Sequence, residues 1–162
     1  MYRRGHVGLG LLAYAPVASL TLRSGEPGLA LVGVAIAVAF ATLPDVDERL
    51  PLPHRGPTHT IAFVVAGGGL VGTASVPVVA ASGSLPTWTP VFAGVVTAAT
   101  LGSHLAGDVI TPMGIRPFRP LSDAHFTLDV TPAADPRANR LFLGAGVVAL
   151  ALSVGLSVGL PS

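Results

Sequence analysis

Cysteine is absent from the 162-residue chain, which excludes disulfides, thiolate zinc sites and a thiol nucleophile. Lysine is absent too: all nine basic residues are arginine, a bias for which side-chain chemistry supplies no reason. Charge of either sign is scarce, at 10% of residues, where a soluble domain carries about 25%. With 51% hydrophobic residues and a mean hydropathy of +0.70, neither a water-soluble globule nor a disordered chain fits. A net charge of +1 provides no basic stripe to neutralise duplex phosphates, so no nucleic-acid partner is expected. The His-Glu-x-x-His motif is missing as well, which argues against intramembrane zinc proteolysis.

What is present is apolar sequence in blocks. A helix crosses the hydrocarbon core with roughly 20 apolar residues, and five such runs occur, over about 6–22, 28–43, 60–81, 90–110 and 141–160. The expectation is an all-α, polytopic membrane helical bundle, a single integral domain over 1–162 whose partner is the lipid bilayer. A signal peptide is the rival for the first run, since Arg3 and Arg4 precede it and Ala18 and Ser19 lie near its end. Small residues recur inside the runs, Gly67, Gly68 and Gly69 among them, and such residues let helices in lipid approach closely.

Orientation follows from arginine. Basic residues near helix ends stay in the cytoplasm, and five spans with the N-terminus inside put Arg3, Arg4, Arg49, Arg55, Arg116, Arg119, Arg137 and Arg140 there, leaving Arg23 outside. The expected topology is N-in and C-out, in a multi-pass protein of the inner, cytoplasmic membrane.

The same alternation gathers chemistry at one membrane face. His6 opens the first run, Asp45 and Asp47 follow the second, His54 and His59 precede the third, and His104 and Asp108 close the fourth. His104 and Asp108 are four apart, so on a helix both project from one face. Imidazole and carboxylate are ordinary zinc ligands. His59 and one aspartate of the Asp45 and Asp47 pair complete the sphere, with the choice between them open, and the second oxygen of Asp108 can bridge to an ion held by His6. Without an ion, His104 and Asp108 would simply hydrogen-bond each other, but ionisable residues in spans are costly and usually functional. Arg55 is suited to clamp a phosphate oxygen, Gly56 to close backbone approach, and His54 to supporting a ligand or donating a proton to a leaving group. Thr111 reads as a cap or a support for a ligand. His125 and Asp129 repeat the spacing of four in the long connector, where a solvated loop outweighs a further metal position.

Taken together, His6, Leu43-Pro44-Asp45-Val46-Asp47, His54-Arg55-Gly56-Pro57-Thr58-His59-Thr60, His104-Leu105-Ala106-Gly107-Asp108 and Thr111-Pro112-Met113-Gly114 resemble the YdjM-like family. Its members are membrane-bound proteins classed as metal-dependent hydrolases, and the resemblance runs from His6 to about Pro120. The ligand order is similar, more distantly, to zinc-dependent phospholipase C and the P1-type nucleases. That likeness implies one ion shared by His6 and Asp108, and another held by Asp45 or Asp47 with His59, His104 and Asp108. The chain lacks the His-x-x-x-Glu box of those enzymes and starts with Met1-Tyr2 in place of a processed tryptophan, so one or two ions are expected instead of three.

The expected function is a metal-dependent hydrolase, with Zn2+ as the leading cofactor, cutting a lipid or lipid-linked phosphoester at the cytoplasmic face. The alternative is a non-catalytic membrane metal-binding or scaffold protein. Coordination separates them, because a structural ion is closed by protein ligands and a catalytic one keeps an open position. Transport is disfavoured, since the ionisable residues sit at helix ends and not at the midplane.

Overall fold

The computed structural model describes residues 1–159 and contains five α-helices: α1 (Arg3–Arg23), α2 (Pro27–Phe40), α3 (Ile61–Ser82), α4 (Thr89–Val109) and α5 (Pro136–Gly159). Two 3-10 turns, Pro44–Arg49 and Pro57–His59, lie between α2 and α3. The chain is thus an all-helical membrane bundle. Four helices are long and apolar enough to cross a membrane. The fourteen residues of α2 rise about 21 Å, short of the roughly 30 Å hydrocarbon core. The last residue of the run expected over 141–160, Leu160, lies outside the described residues.

The boundaries have local causes. Pro27 and Pro90 occupy first-turn positions where a missing N–H costs nothing. Thr60 caps α3 by accepting from the Phe63 amide at 3.2 Å, and Gly83 ends it at φ +62°. Helix α1 begins at Arg3, three residues before its run, and two further boundaries differ from the uncharged runs. Helix α2 stops at Phe40, because a turn leads from there into Pro44. Helix α5 starts five residues earlier than its run, because Asp135 Oδ1 accepts from the amides of Arg137 and Ala138 at 2.7 and 3.0 Å. A search for uncharged sequence stops at Arg137 and Arg140, whereas the backbone does not.

Glycines set the packing. Helices α3 and α4 run antiparallel with Gly68 and Gly72 against Gly94 and Ala98, so close that a Cβ on Gly68 would stand 2.8 Å from the Gly94 carbonyl oxygen. Helices α1 and α5 run parallel, and a Cβ on Gly146 would stand 2.2 Å from the Gly8 carbonyl oxygen. Both seams are the small-residue contacts that association in lipid favours. Between them lies a core of Leu11, Tyr14, Ala18, Leu29, Ala37, Phe92 and Val96, with Tyr14 donating to the Ala30 carbonyl at 2.7 Å. Most of α3 and α5 faces outward with exposed Val65, Leu70, Val147 and Leu152, the surface a bilayer would cover. Because α2 is short, the chain after it folds back beneath the bundle and buries Pro44 and Asp47 there.

Candidate metal centre

Four elements bring their polar residues to one end of the bundle. Asp45 Oδ1, His59 Nε2, His104 Nε2 and Asp108 Oδ2 face one another. His59 Nε2 lies 3.2 Å from His104 Nε2, 3.5 Å from Asp45 Oδ1 and 3.3 Å from Asp108 Oδ2. His104 Nε2 lies 3.3 Å from Asp45 Oδ1 and 3.5 Å from Asp108 Oδ2. Ligands held about 2.1 Å from a tetrahedral zinc stand about 3.4 Å apart, so these five separations match five of the six edges of such a site. The other oxygens of the same carboxylates face His6, whose Nε2 is 3.9 Å from Asp45 Oδ2 and 3.7 Å from Asp108 Oδ1. His6, Asp45, His104 and Asp108 each offer a donor atom within 4.8 Å of the others.

The histidines are oriented from behind. His104 Nδ1 donates to the Ala41 carbonyl at 2.7 Å, which leaves its Nε2 lone pair facing the cluster. His59 Nδ1 lies 3.2 Å from Asp47 Oδ2 and 3.1 Å from Thr58 Oγ1, with the same result. Asp47 is therefore placed behind His59 and not among the converging donors, while Asp45 is among them. Asp47 also accepts from the Arg55 amide at 2.8 Å, the Thr58 hydroxyl at 3.0 Å and His54 Nδ1 at 3.0 Å. His6 stacks on His104 with ring centroids 3.6 Å apart, and a Cβ on Gly107 would stand 3.3 Å from its Nδ1.

Arg55 is more deeply engaged than a free phosphate clamp. Its Nη2 donates to Asp108 Oδ1 at 2.9 Å and its Nη1 to Thr111 Oγ1 and the Gly114 carbonyl at 3.0 and 2.9 Å, leaving the side chain only 7% exposed. The residue holds φ +57°, a strained backbone conformation for a side chain of this size, fixed by the contacts on both sides of it. Thr111 is buried, donates to the Asp108 carbonyl and receives Arg55, so it links helix end to guanidinium. His54 is 37% exposed at the edge of the group. His125 and Asp129 stay apart on the exposed connector, where His125 Nε2 meets the Met113 carbonyl at 2.8 Å. Among the described residues they join no metal-holding group.

The electrostatics agree with the geometry. Burial disfavours charge on Asp45, but the imidazoles of His104 and His59 outweigh it and hold the carboxyl well below the ordinary range. Asp47 is likewise held low against burial by His54, His59, Thr58 and the Arg55 amide. Burial would lower His59, yet Asp108 and Asp45 opposite its Nε2 outweigh that and raise it.

Two observations fit a cation at this place. His6 Nε2 and Asp108 Oδ2 are buried without a hydrogen-bond partner among the described residues, a state that costs free energy unless something else satisfies them. With neutral imidazoles, Asp45, Asp47 and Asp108 against Arg55 and the Met1 ammonium leave a net negative charge, which favours a cation. The position on the His6 side is less well furnished, since Asp108 Oδ1 already accepts from Arg55 and from the Met1 nitrogen at 2.7 Å. The cluster opens in one direction. Asp45, 24% exposed, lines a cavity of about 430 Å³ together with Arg3, Thr42, Glu48 and Arg49.

Thr58 and the Ala41 carbonyl carry orientation that residue-type reasoning missed. Thr58 sits inside the His54 to His59 box and could have been found there, whereas a backbone carbonyl has no signature in sequence. A family model described as YdjM inner membrane protein matches residues 1–160. No curated protein and no solved structure matches the chain.

Proposed function

The chain belongs to the YdjM inner membrane protein family, and from that membership and the converging donors we propose a metal-dependent hydrolase that cuts a phosphoester of a lipid or lipid-linked substrate at the cytoplasmic face. The carrying observation is the set of four donor atoms at the end of a membrane bundle, with His59 and His104 each 3.2 to 3.5 Å from the other three. Asp45, His59, His104 and Asp108 would hold the ion, Zn2+ in the first instance, and His6 would share the two carboxylates with a second. A bound divalent cation supplies Lewis acidity and a nucleophile at neutral pH.

The residues around it divide the remaining work. Asp47 and Thr58 keep His59 in the tautomer that presents Nε2. Arg55 fixes Asp108 and, through its unpartnered Nε, retains one donor for a substrate oxygen. His54 is assigned as proton donor: as water adds to phosphorus and the bond to the leaving oxygen breaks, that oxygen takes the His54 proton, and the proton released by the water passes through solvent to restore His54. Substrate reaches the cluster past Asp45, through the cavity between Arg3 and Arg49. Eight of the nine arginines fall on this side of the alternating helices, which supports a cytoplasmic face.

A non-catalytic reading has its own support, because four protein donors close a tetrahedral sphere as structural sites do. Metal analysis of detergent-purified protein separates the readings. One or two equivalents of transition metal, lost in folded His104→Ala and Asp108→Ala, with turnover of phosphoesters or phospholipids, is the expected result. Metal that stabilises the fold without turnover supports the scaffold, and protein that stays metal-free after reloading overturns both.

A further inference from the structure

We propose that the cavity between the beginnings of α1 and α5 binds the headgroup of an anionic phospholipid. It measures about 330 Å³ and is lined by Tyr2, Arg3, Arg4, Pro136, Asn139 and Arg140. Three arginines line it and no carboxylate does. Arg55 pairs with Asp108 and Arg119 with Asp123, whereas Arg3, Arg4 and Arg140 are exposed beside one another. Here Arg140 spends only its Nε, on the Pro136 carbonyl at 3.0 Å, and among the described residues none of the three forms an ion pair. The nearby Asp135 has its Oδ1 committed to the amides that start α5. Like charges gathered without a counterion repel, and the planar fork of guanidinium matches phosphate oxygens in pairs.

The backbone beneath these arginines is held in place by packing. The Tyr2 amide donates to Asn139 Oδ1 at 3.0 Å, and Asn139 Nδ2 donates to the carbonyls of Ala133 and Asp135 at 3.0 and 2.7 Å. The space a Cβ on Gly5 would need is filled by Met1 Sδ and Asn139 Oδ1, so α1 and α5 meet tightly at this level. The backbone that carries Arg3 and Arg4 is thereby held beside that of Arg140 before any ligand arrives, which lowers part of the ordering cost of binding.

A lipid fits better than a free anion. Two apolar helices start here, where hydrocarbon gives way to headgroups, and the exposed ring of Tyr2 is the aromatic type that settles at that level. Tyr2 and Pro136 add apolar wall for glycerol carbons beside the charges. Basic pockets between membrane helices are suited to anionic headgroups. The site does not depend on hydrolysis at the metal centre, although Arg3 lines both this cavity and the one that opens on Asp45.

The test uses the full chain, delipidated in detergent and titrated with phosphatidylglycerol or phosphatidylcholine in mixed micelles, with binding read by native mass spectrometry and thermal shift. Phosphatidylglycerol should bind more tightly than phosphatidylcholine. Arg3→Gln and Arg140→Gln should each weaken it about fivefold, the equivalent of ~1 kcal/mol per basic residue at an anionic surface. Arg23→Gln, at the other end of the bundle, should leave it unchanged. Should a glutamine variant fold poorly, Arg3→Lys keeps the charge without the fork and should give a smaller loss. Equal affinity for the two lipids, or phosphatidylglycerol binding untouched in the Arg3→Gln and Arg140→Gln double variant, overturns the proposal. Inorganic phosphate displacing the lipid at equal concentration makes this a free-anion site and overturns the lipid assignment.

Discussion

At one end of the bundle α1 passes to α2 through residues 24–26 and α3 to α4 through residues 83–88, with Arg23 and Glu26 the charged residues there and no histidine. At the other end four elements and the turn that carries Arg55 bring together His6, Asp45, Asp47, Arg55, His59, His104 and Asp108, five of the seven buried. The two regions hold together by different forces. The glycine seams of α1 with α5 and α3 with α4 rest on close van der Waals contact, which needs no ion and is indifferent to pH. The polar end consists of charges that water has left, and each is tolerable only while its partners remain. A perturbation at one end should therefore leave the defining property of the other intact.

The largest effect is expected from Asp108→Ala. It removes a donor of the cluster and leaves Arg55 buried without its anion, a change that costs about 3–5 kcal/mol for a buried pair broken on one side. Metal should be lost together with a large fall in Tm, and a variant that keeps its metal at wild-type stoichiometry would refute the assignment of Asp108. Gly146→Val sharpens the contrast from the other side. Its new side chain meets the Gly8 backbone, so destabilisation of about 1–3 kcal/mol from overpacking should appear. Metal bound per folded molecule should not change, and a seam variant that lost metal would break the separation between the regions. Asp47→Asn comes next. It weakens the carboxylate behind His59 without removing a converging donor, and partners of this kind are worth roughly 10–100-fold in metal affinity. The ion should still bind at saturation, as a competition titration with a chelator would show.

The helices were legible because lipid thickness dictates the length of an apolar run, and the polar end because antiparallel spans return their termini alternately to the same face. His104 and Asp108 were readable as a pair for a similar reason, since their spacing equals about one helical turn. Other features depended on geometry that residue type does not encode. The choice between Asp45 and Asp47 is made by the phase of a six-residue 3-10 turn, which sends one carboxylate into the cluster and the other beneath His59. Arg55 looked available for substrate, but the folding of the connector after α4 brings Thr111 and Gly114 against it. That connector is itself organised by an isolated bridge between Ile115 and Phe126 and by the Ile61 amide donating to the Pro117 carbonyl, contacts between segments far apart in sequence.

The smallest effect expected concerns the start of α5, where pH reaches a helix that the seam holds. Asp135 accepts from the amides of Ala138 and Arg137, and these bonds keep its carboxyl below the ordinary range in the folded chain. A depressed folded value means that the ionised cap stabilises fully above the unfolded carboxylate pKa of about 3.9 and that this contribution is lost as pH falls through the lower folded value. Asp135→Ala should lower Tm slightly at neutral pH, and the gap from wild type should close on acidification. Because Asn139 ties the same turn to Tyr2, the loss should loosen the frame around Arg3 and Arg140 before it reaches the candidate metal centre. Thermal scans of both proteins across the acidic range test this, and a gap that stays constant down to the lowest pH would show that the helix start is held by the α1 seam and not by the cap.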